Sequence, residues 1–194
     1  AVKNAVDAEV FQVNGHAVRK NKSIEITKKD LLKVFWRSFP LQASFNFERM
    51  QNVGFAYQMV PALKKLYPDK KEASEALKRH LAIFNTTPAI VSFITGAAIA
   101  MEEKFKKAKD AGEECDEESI NTVKAALMGP LAGIGDSLIQ GIIIPIVLAL
   151  CIDLTNNGLV LGPIIYAVAM YAIMVGCMWA CFKPSSLGPK VIGS

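Results

Sequence analysis

Histidine is almost missing from this chain, and cysteine is sparse and badly spaced for chemistry. There are two histidines, His16 and His80, and four cysteines, Cys115, Cys151, Cys177 and Cys181. No two cysteines form a C-x-x-C pair, so neither a zinc knuckle nor a redox motif is supported. No Ser–His–Asp spacing and no metal-ligand cluster exist, which argues against a self-contained enzyme and leaves no catalytic residue, metal or cofactor to expect. The glycines do not complete G-x-G-x-x-G and no Walker lysine follows them, so nucleotide binding is not expected. The acidic stretch from Asp110 to Glu118 lacks the alternating oxygen ligands of a calcium loop and reads as solvated. Charge of one sign is lacking too: 22 basic against 18 acidic residues give +4. With no basic run interleaved with aromatics, nucleic acid is not an expected partner. The N-terminus carries no apolar signal segment and no initiating Met, as in a processed chain or a fragment. No internal repeat is present.

Apolar residues, in contrast, are abundant. They make up 52% of the 194 residues, with a mean hydropathy of +0.28, above the usual soluble range. Charged residues still reach 21%, too many for a bundle of uninterrupted membrane helices. The chain has room for one domain or one membrane unit, and its composition fits a protein partly in the bilayer and partly in water.

Residues 1–26 are polar and unpatterned, with a turn signal at Asn14-Gly15, and read as an arm or disordered lead-in. Thr27 to Asp30 fits a capping box opening a helix. Its stripe is Leu31, Leu32, Phe35, Trp36 and Phe39; Lys28, Lys29, Lys33 and Arg37 form its polar part. A basic amphipathic helix with Trp suits a membrane surface or, equally, a partner. After the Tyr67-Pro68-Asp69 turn, Lys70 to Phe84 reads as a basic amphipathic helix with Leu77, Leu81 and Phe84 packed and Lys71, Lys78 and Arg79 outward. His80 is expected at the surface or an interface, a phosphoryl-accepting role being the sharper alternative.

Thr87 can cap and Pro88 can open the next helix. The apolar run Ala89 to Met101 has 13 residues, short of the ~20 a span needs, so a half-helix or re-entrant segment is expected. It passes into water through Glu102–Lys106 and Glu103–Lys107 pairs. Gly129, Pro130, Gly133, Gly135 and Asp136 form an expected backbone break, with Asp136 or Ser137 capping the helix after it. Ile164 to Phe182, 19 residues without charge, is the convincing spanning helix. On it, Cys177 and Cys181 read as buried thiols acting as small hydrophobes. Lys183-Pro184 ends it, and residues 183–194 form a tail. Paired interruptions near residues 85–88 and 129–137 are the mark of a transporter site near the membrane midplane.

The stretch Ala43 to Asn52 crowds Asn46, Glu48, Gln51 and Asn52 among Phe45, Phe47 and Met50. If helical, it would put Phe47, Met50, Gly54 and Tyr57 on one face and Glu48, Gln51, Asn52 and Phe55 on its neighbour. A carboxylate, amides and a ring on one strip suit sugar hydroxyls and the apolar sugar face. The same residues also fit Glu48 paired with a neighbouring cation and amides facing water.

Three blocks carry a resemblance. SFNFERMQNVGFAYQMVPALKKLYP, ALKRHLAIFNTTPAI (Ala76 to Ile90) and ALMGPLAGIGDSL (Ala126 to Leu138) resemble, in order and spacing, the IID subunit of mannose-family sugar phosphotransferase transporters, over roughly Thr27 to Pro163. The resemblance implies an all-α, integral membrane subunit with broken or re-entrant helices and amphipathic surface helices, in the bacterial cytoplasmic membrane, multi-pass or partly embedded. It implies a IIC partner in a trimer of IIC–IID pairs, a hexose or amino-sugar substrate and an elevator-like movement. Phosphate would pass through IIA and IIB units rather than His80. On matching positions it implies Asn46 and Glu48 as hydroxyl partners, Gln51 and Asn52 in support, Asn85 and Thr86 as a second line, and Phe45 stacked on the sugar. It also admits a scaffold or receptor role, including docking of bacteriocins or phage. The sequence departs from the family in two ways: IID subunits are usually longer, and Asp136 to Gln140 is less aromatic than in mannose-type members. Mannose, glucose, fructose, sorbose and amino sugars all stay open.

Overall fold

The computed structural model describes residues 10–13, 16–19, 26–158 and 161–185. The fold is helical. Its one pair of strands among the described residues, β1 (Val10–Val13) and β2 (His16–Arg19), lies ahead of the helices and pairs antiparallel with Val13 opposite His16. The arm expected over residues 1–26 therefore includes a hairpin. The turn signal at Asn14-Gly15 falls between its strands, outside the described residues.

Helix α1 (Lys28–Trp36) starts where the capping box is expected. Thr27 Oγ1 accepts from the Asp30 amide at 3.3 Å, and Asp30 Oδ2 accepts from the Thr27 amide at 3.2 Å. Helix α2 (Asn52–Leu66) carries Pro61 inside and ends at the Tyr67 turn. Asp69 then caps α3 (Lys70–Arg79), its carboxylate accepting from the Lys71 and Glu72 amides. A 3-10 turn, Pro88–Ile90, with Pro at its start as expected, leads into α4 (Val91–Ala111), which closes on Gly112 in the left-handed region, φ 72°. The core gathers Leu31, Phe35, Phe55, Met59, Phe84 and Ile94. Gly54 is needed there, since a Cβ would run into the Leu41 carbonyl.

The chain then changes character. Helix α5 (Glu118–Gly135) runs through Gly129, Pro130 and Gly133 without interruption. A π-helical stretch, Asp136–Ile143, follows and passes directly into α6 (Ile144–Asn156). The expected backbone break is thus corrected: hydrogen bonding changes pitch at Asp136 but the rod does not stop, and neither Asp136 nor Ser137 caps a new helix. Pro130 and the glycines are carried within the helix, which leads into a strongly apolar stretch. The whole rod, Glu118–Asn156, has 39 residues and qualifies by length and composition as a membrane span, alongside Gly162–Phe182. Helix α7 (Gly162–Ser185) returns along α6 and packs against α4. Cys177 and Cys181 on it are half-buried rather than fully inside.

Candidate functional site

The stretch Ala43 to Gln51 is not helical. Between α1 and α2 the backbone makes successive turns, and Met50 takes φ 58°, the left-handed region. Asn46 and Met50 exchange backbone hydrogen bonds at 3.0 and 2.9 Å, while the Asn46 side chain accepts from the Arg49 amide at 2.8 Å. Such local bonds from an Asn side chain compete with helix. The loop is also laced to the segment after α3. The Gln51 amide donates to the Phe84 carbonyl at 2.8 Å and the Phe84 amide to the Arg49 carbonyl at 3.3 Å.

This loop sorts the sequence-predicted residues into two groups. Asn46, Gln51, Asn52 and Thr86 come together and turn inward. Gln51 Oε1 accepts from the Thr86 amide at 3.0 Å; Asn52 Nδ2 donates to the Leu81 carbonyl at 2.8 Å; Asn46 Nδ2 donates to Asn52 Oδ1 at 2.9 Å. Thr86 Oγ1 is buried without a hydrogen-bond partner. Phe45, Glu48 and Asn85 face out. The Glu48 side chain is 82% exposed, its carboxylate 3.6 Å from Arg49 Nε. The strip expected from helical spacing does not form, for Phe55 is in the core, stacked on Phe84 at 4.0 Å.

The two interruptions singled out in the sequence meet in space. Thr87 does not cap the 3-10 turn. Its hydroxyl lies 2.6 Å from Asp136 Oδ1 and 3.1 Å from the Ala132 carbonyl. Gln140 Nε2 donates to the same Asp136 oxygen at 3.1 Å, so Asp136 ties the π-helical stretch to the turn before α4. Gly135 permits the approach: a Cβ there would sit 2.6 Å from Thr87 and Ile90 side-chain atoms. At Gly129 and Gly133 a Cβ would meet nothing within 4 Å.

A second cluster was not foreseen. His80 is not at the surface but fully buried, and Glu102 is buried with it. Glu102 receives hydrogen bonds from Tyr67 at 2.6 Å and from Arg79 at 3.0 Å, and lies 3.0 Å from His80 Nε2. Arg79, expected outward, is 10% exposed and also pairs with Glu117 at 3.4 Å. Lys106 pairs with Glu72 and Asp110, and Lys124 Nζ donates to the Arg79 carbonyl at 3.3 Å. Burial, reinforced by Lys124 and Arg79, pushes His80 below its ordinary value despite Glu102. Burial works against the charge on Glu102, yet the His80, Arg79 and Tyr67 bonds hold it below the ordinary carboxylate value. Burial and Glu102 push the Tyr67 phenol far up. A neutral His80 donating from Nε2 leaves Nδ1 as an acceptor, and that atom is buried and unpartnered. Nothing in the sequence marks this cluster, because Arg79, His80 and Glu102 lie in ordinary charged runs and their pairing needs the fold. No group of three or more His, Cys, Asp or Glu among the described residues is placed to hold a metal.

The profile of the PTS system mannose/fructose/sorbose family IID component matches residues 25–192. The sorbose-specific EIID component of Klebsiella pneumoniae is 45% identical over 155 residues, covering 80% of this chain and 55% of that protein. The chain thus spans about half the length of that curated relative. Among solved structures, the mannose transporter ManYZ in complex with microcin E492 superposes with a TM-score of 0.79 at 35% identity, covering 88% of this chain and 61% of that one. A stretch of 28 residues, 14% of the chain, is 96% identical to part of Ribonuclease M5 of Fusobacterium nucleatum.

Proposed function

Since the chain belongs to the mannose/fructose/sorbose family of PTS IID components, we propose that it works as the IID membrane subunit of a sugar transporter, forming with a IIC subunit the path and binding site for a hexose. A IIB unit, charged by IIA, phosphorylates the sugar on entry, and the subunit itself carries no catalytic group. It sits in the bacterial cytoplasmic membrane, crossing it with the two apolar rods, in a trimer of IIC–IID pairs. The observation that carries the reading is the 46–51 loop. It is held rigid by Asn46, Gln51 and Asn52 and laced to 84–86, while Glu48, Phe45 and Asn85 point outward from it. A rigid frame with an exposed carboxylate, shared with Arg49, and a ring and amide at its rim suits sugar hydroxyls and the apolar sugar face. Asp136 joins the second line through Thr87 rather than by touching sugar.

Glu48→Ala and Asn85→Ala, made in a complex with IIC, are expected to lower hexose uptake roughly tenfold to a hundredfold, the worth of a hydrogen bond to a charged group, with co-purification of IIC intact. Normal uptake in both variants would remove the rim from the site. The second reading is a scaffold that organises IIC without touching sugar, or that presents a docking surface for a bacteriocin. It is favoured by the internal use of Gln51 and Asn52, and by the microcin present in the ManYZ structure. Under it, Asn52→Ala disturbs assembly before it disturbs uptake.

A further inference from the structure

Helix α1 and the last turns of α7 share a cluster of rings. Phe35 packs against Trp179 and Phe182 with centroids 5.2 Å from each, and Trp36 stacks on Phe39 at 5.5 Å. The cluster is not closed. Trp36 is 62% exposed and Trp179 43%, with Leu32 open beside them. These are the only two tryptophans in the chain, and the fold has brought residues 143 positions apart to one patch. Along α7, Trp179 stands 17 residues from Gly162, about 26 Å at the helical rise, close to the ~30 Å hydrocarbon thickness of a bilayer. The polar turn at Asn156 to Gly158 marks the far end of the paired rods.

Charge completes the pattern. Between Lys28 and Arg37 stand four basic residues and one acidic residue. Arg37 is taken up over the Tyr57 ring at 4.7 Å, but Lys28, Lys29 and Lys33 are exposed on the helix that carries Trp36, Lys33 with Asp30 at 4.0 Å. Amphipathic rings at one end of a span, beside exposed lysines, complement a surface that is apolar beneath and negative above.

Resting on the membrane reading above, we propose that α1 and the ring cluster form an interfacial anchor, in which Trp36 and Trp179 sit at headgroup depth and Lys28, Lys29 and Lys33 take the phosphates of anionic phospholipids. The occupant is the lipid surface at the C-terminal end of α7. Phe39 stacks on one side of Trp36, and the part of the residue left open faces that surface.

The test uses the full chain in nanodiscs of phosphatidylcholine alone or with phosphatidylglycerol. Trp179→Phe leaves Trp36 as the sole emitter and Trp36→Phe leaves Trp179. Lipids brominated near the carbonyl end should quench both more strongly than lipids brominated near the terminal methyl. Phosphatidylglycerol should deepen the Trp36 quenching. Lys28→Glu, Lys29→Glu and Lys33→Glu together should reduce that gain about fivefold or more while leaving Trp179 unchanged. Alkaline carbonate extraction reports separately on whether the rods span. A chain that resists extraction while Trp36 stays open to aqueous iodide overturns the anchor and leaves the membrane reading standing. Equal Trp36 quenching with and without phosphatidylglycerol overturns the headgroup assignment. A chain extracted by carbonate overturns both.

Discussion

From Lys28 to Lys124 the chain puts polar groups inside. Gln51, Gln58, His80, Glu102 and Lys124 are each 2% exposed or less. From Gly129 to Trp179 it does the reverse: Ile146, Leu150, Ile164 and Val168 are all more than half exposed. One sequence therefore meets two solvents. In the first region, buried charge is tolerated only because each group is bonded, as Glu102 is by three neighbours. In the second, the backbone satisfies itself as helix and the side chains are left for an apolar medium or a partner. Gly135, Thr87 and Asp136 are where the two regions are joined.

Breaking the polar interior should have the largest effect. Glu102→Leu strands the Arg79 guanidinium and the Tyr67 hydroxyl, and is expected to cost roughly 3–5 kcal/mol, read as a fall in unfolding midpoint of the detergent-purified chain. The reverse error in the other region is to put charge where apolar groups face out. Val168→Arg should leave that midpoint nearly unchanged but cost about 2.5–3.5 kcal/mol in membrane insertion, read by the inserted fraction in a translocon assay. A midpoint that falls as far as in Glu102→Leu would mean Val168 is packed inside protein in the isolated chain.

The junction should carry a smaller cost than either. Gly135→Val forces a branched side chain into Thr87 and Ile90, with an expected cost of about 1–3 kcal/mol. Gly133→Ala, two residues away in open space, should be neutral or stabilise by up to ~1 kcal/mol. Equal effects would deny the close approach. Titration is the mildest probe. His80 lies below its ordinary value of 6.5 in the fold, so the unfolded chain takes up a proton first as pH falls. Its contribution to stability is fully present above about 6.5 and is lost progressively below it. Glu102, also lowered, adds a second loss below its ordinary value of 4.5. Melting midpoints measured from pH 8 down should fall first in the His80 window, and His80→Gln should flatten that part of the curve.

Local signals in the sequence were sound where the chemistry was local. The Thr27–Asp30 box, the Asp69 turn, the Pro88 start and the apolar α7 all stand at their expected places. Readings failed where a distant residue decided the outcome. Glu102 is spaced four from Lys106, which suggests a solvated pair, but Arg79, His80 and Tyr67 lie 22 to 35 residues away in sequence and claim it first. The loop around Asn46 carries apolar residues at helical spacing, yet Met50 in the left-handed region and the bridge to Phe84 override that spacing. The glycines and Pro130 read as a break because each is a poor helix residue, whereas the helix runs through them into the apolar stretch that follows. The candidate site was legible as residue types; which of them turn inward was not.

The most direct measurement is hexose binding by calorimetry in detergent, across a small sugar panel. It would use this chain alone, IIC alone, IIC with this chain, and IIC with the Glu48→Ala chain. Binding is expected only in the complex, and weakened roughly tenfold or more by Glu48→Ala. Equal binding by IIC alone and by both complexes would contradict a site shared with this subunit.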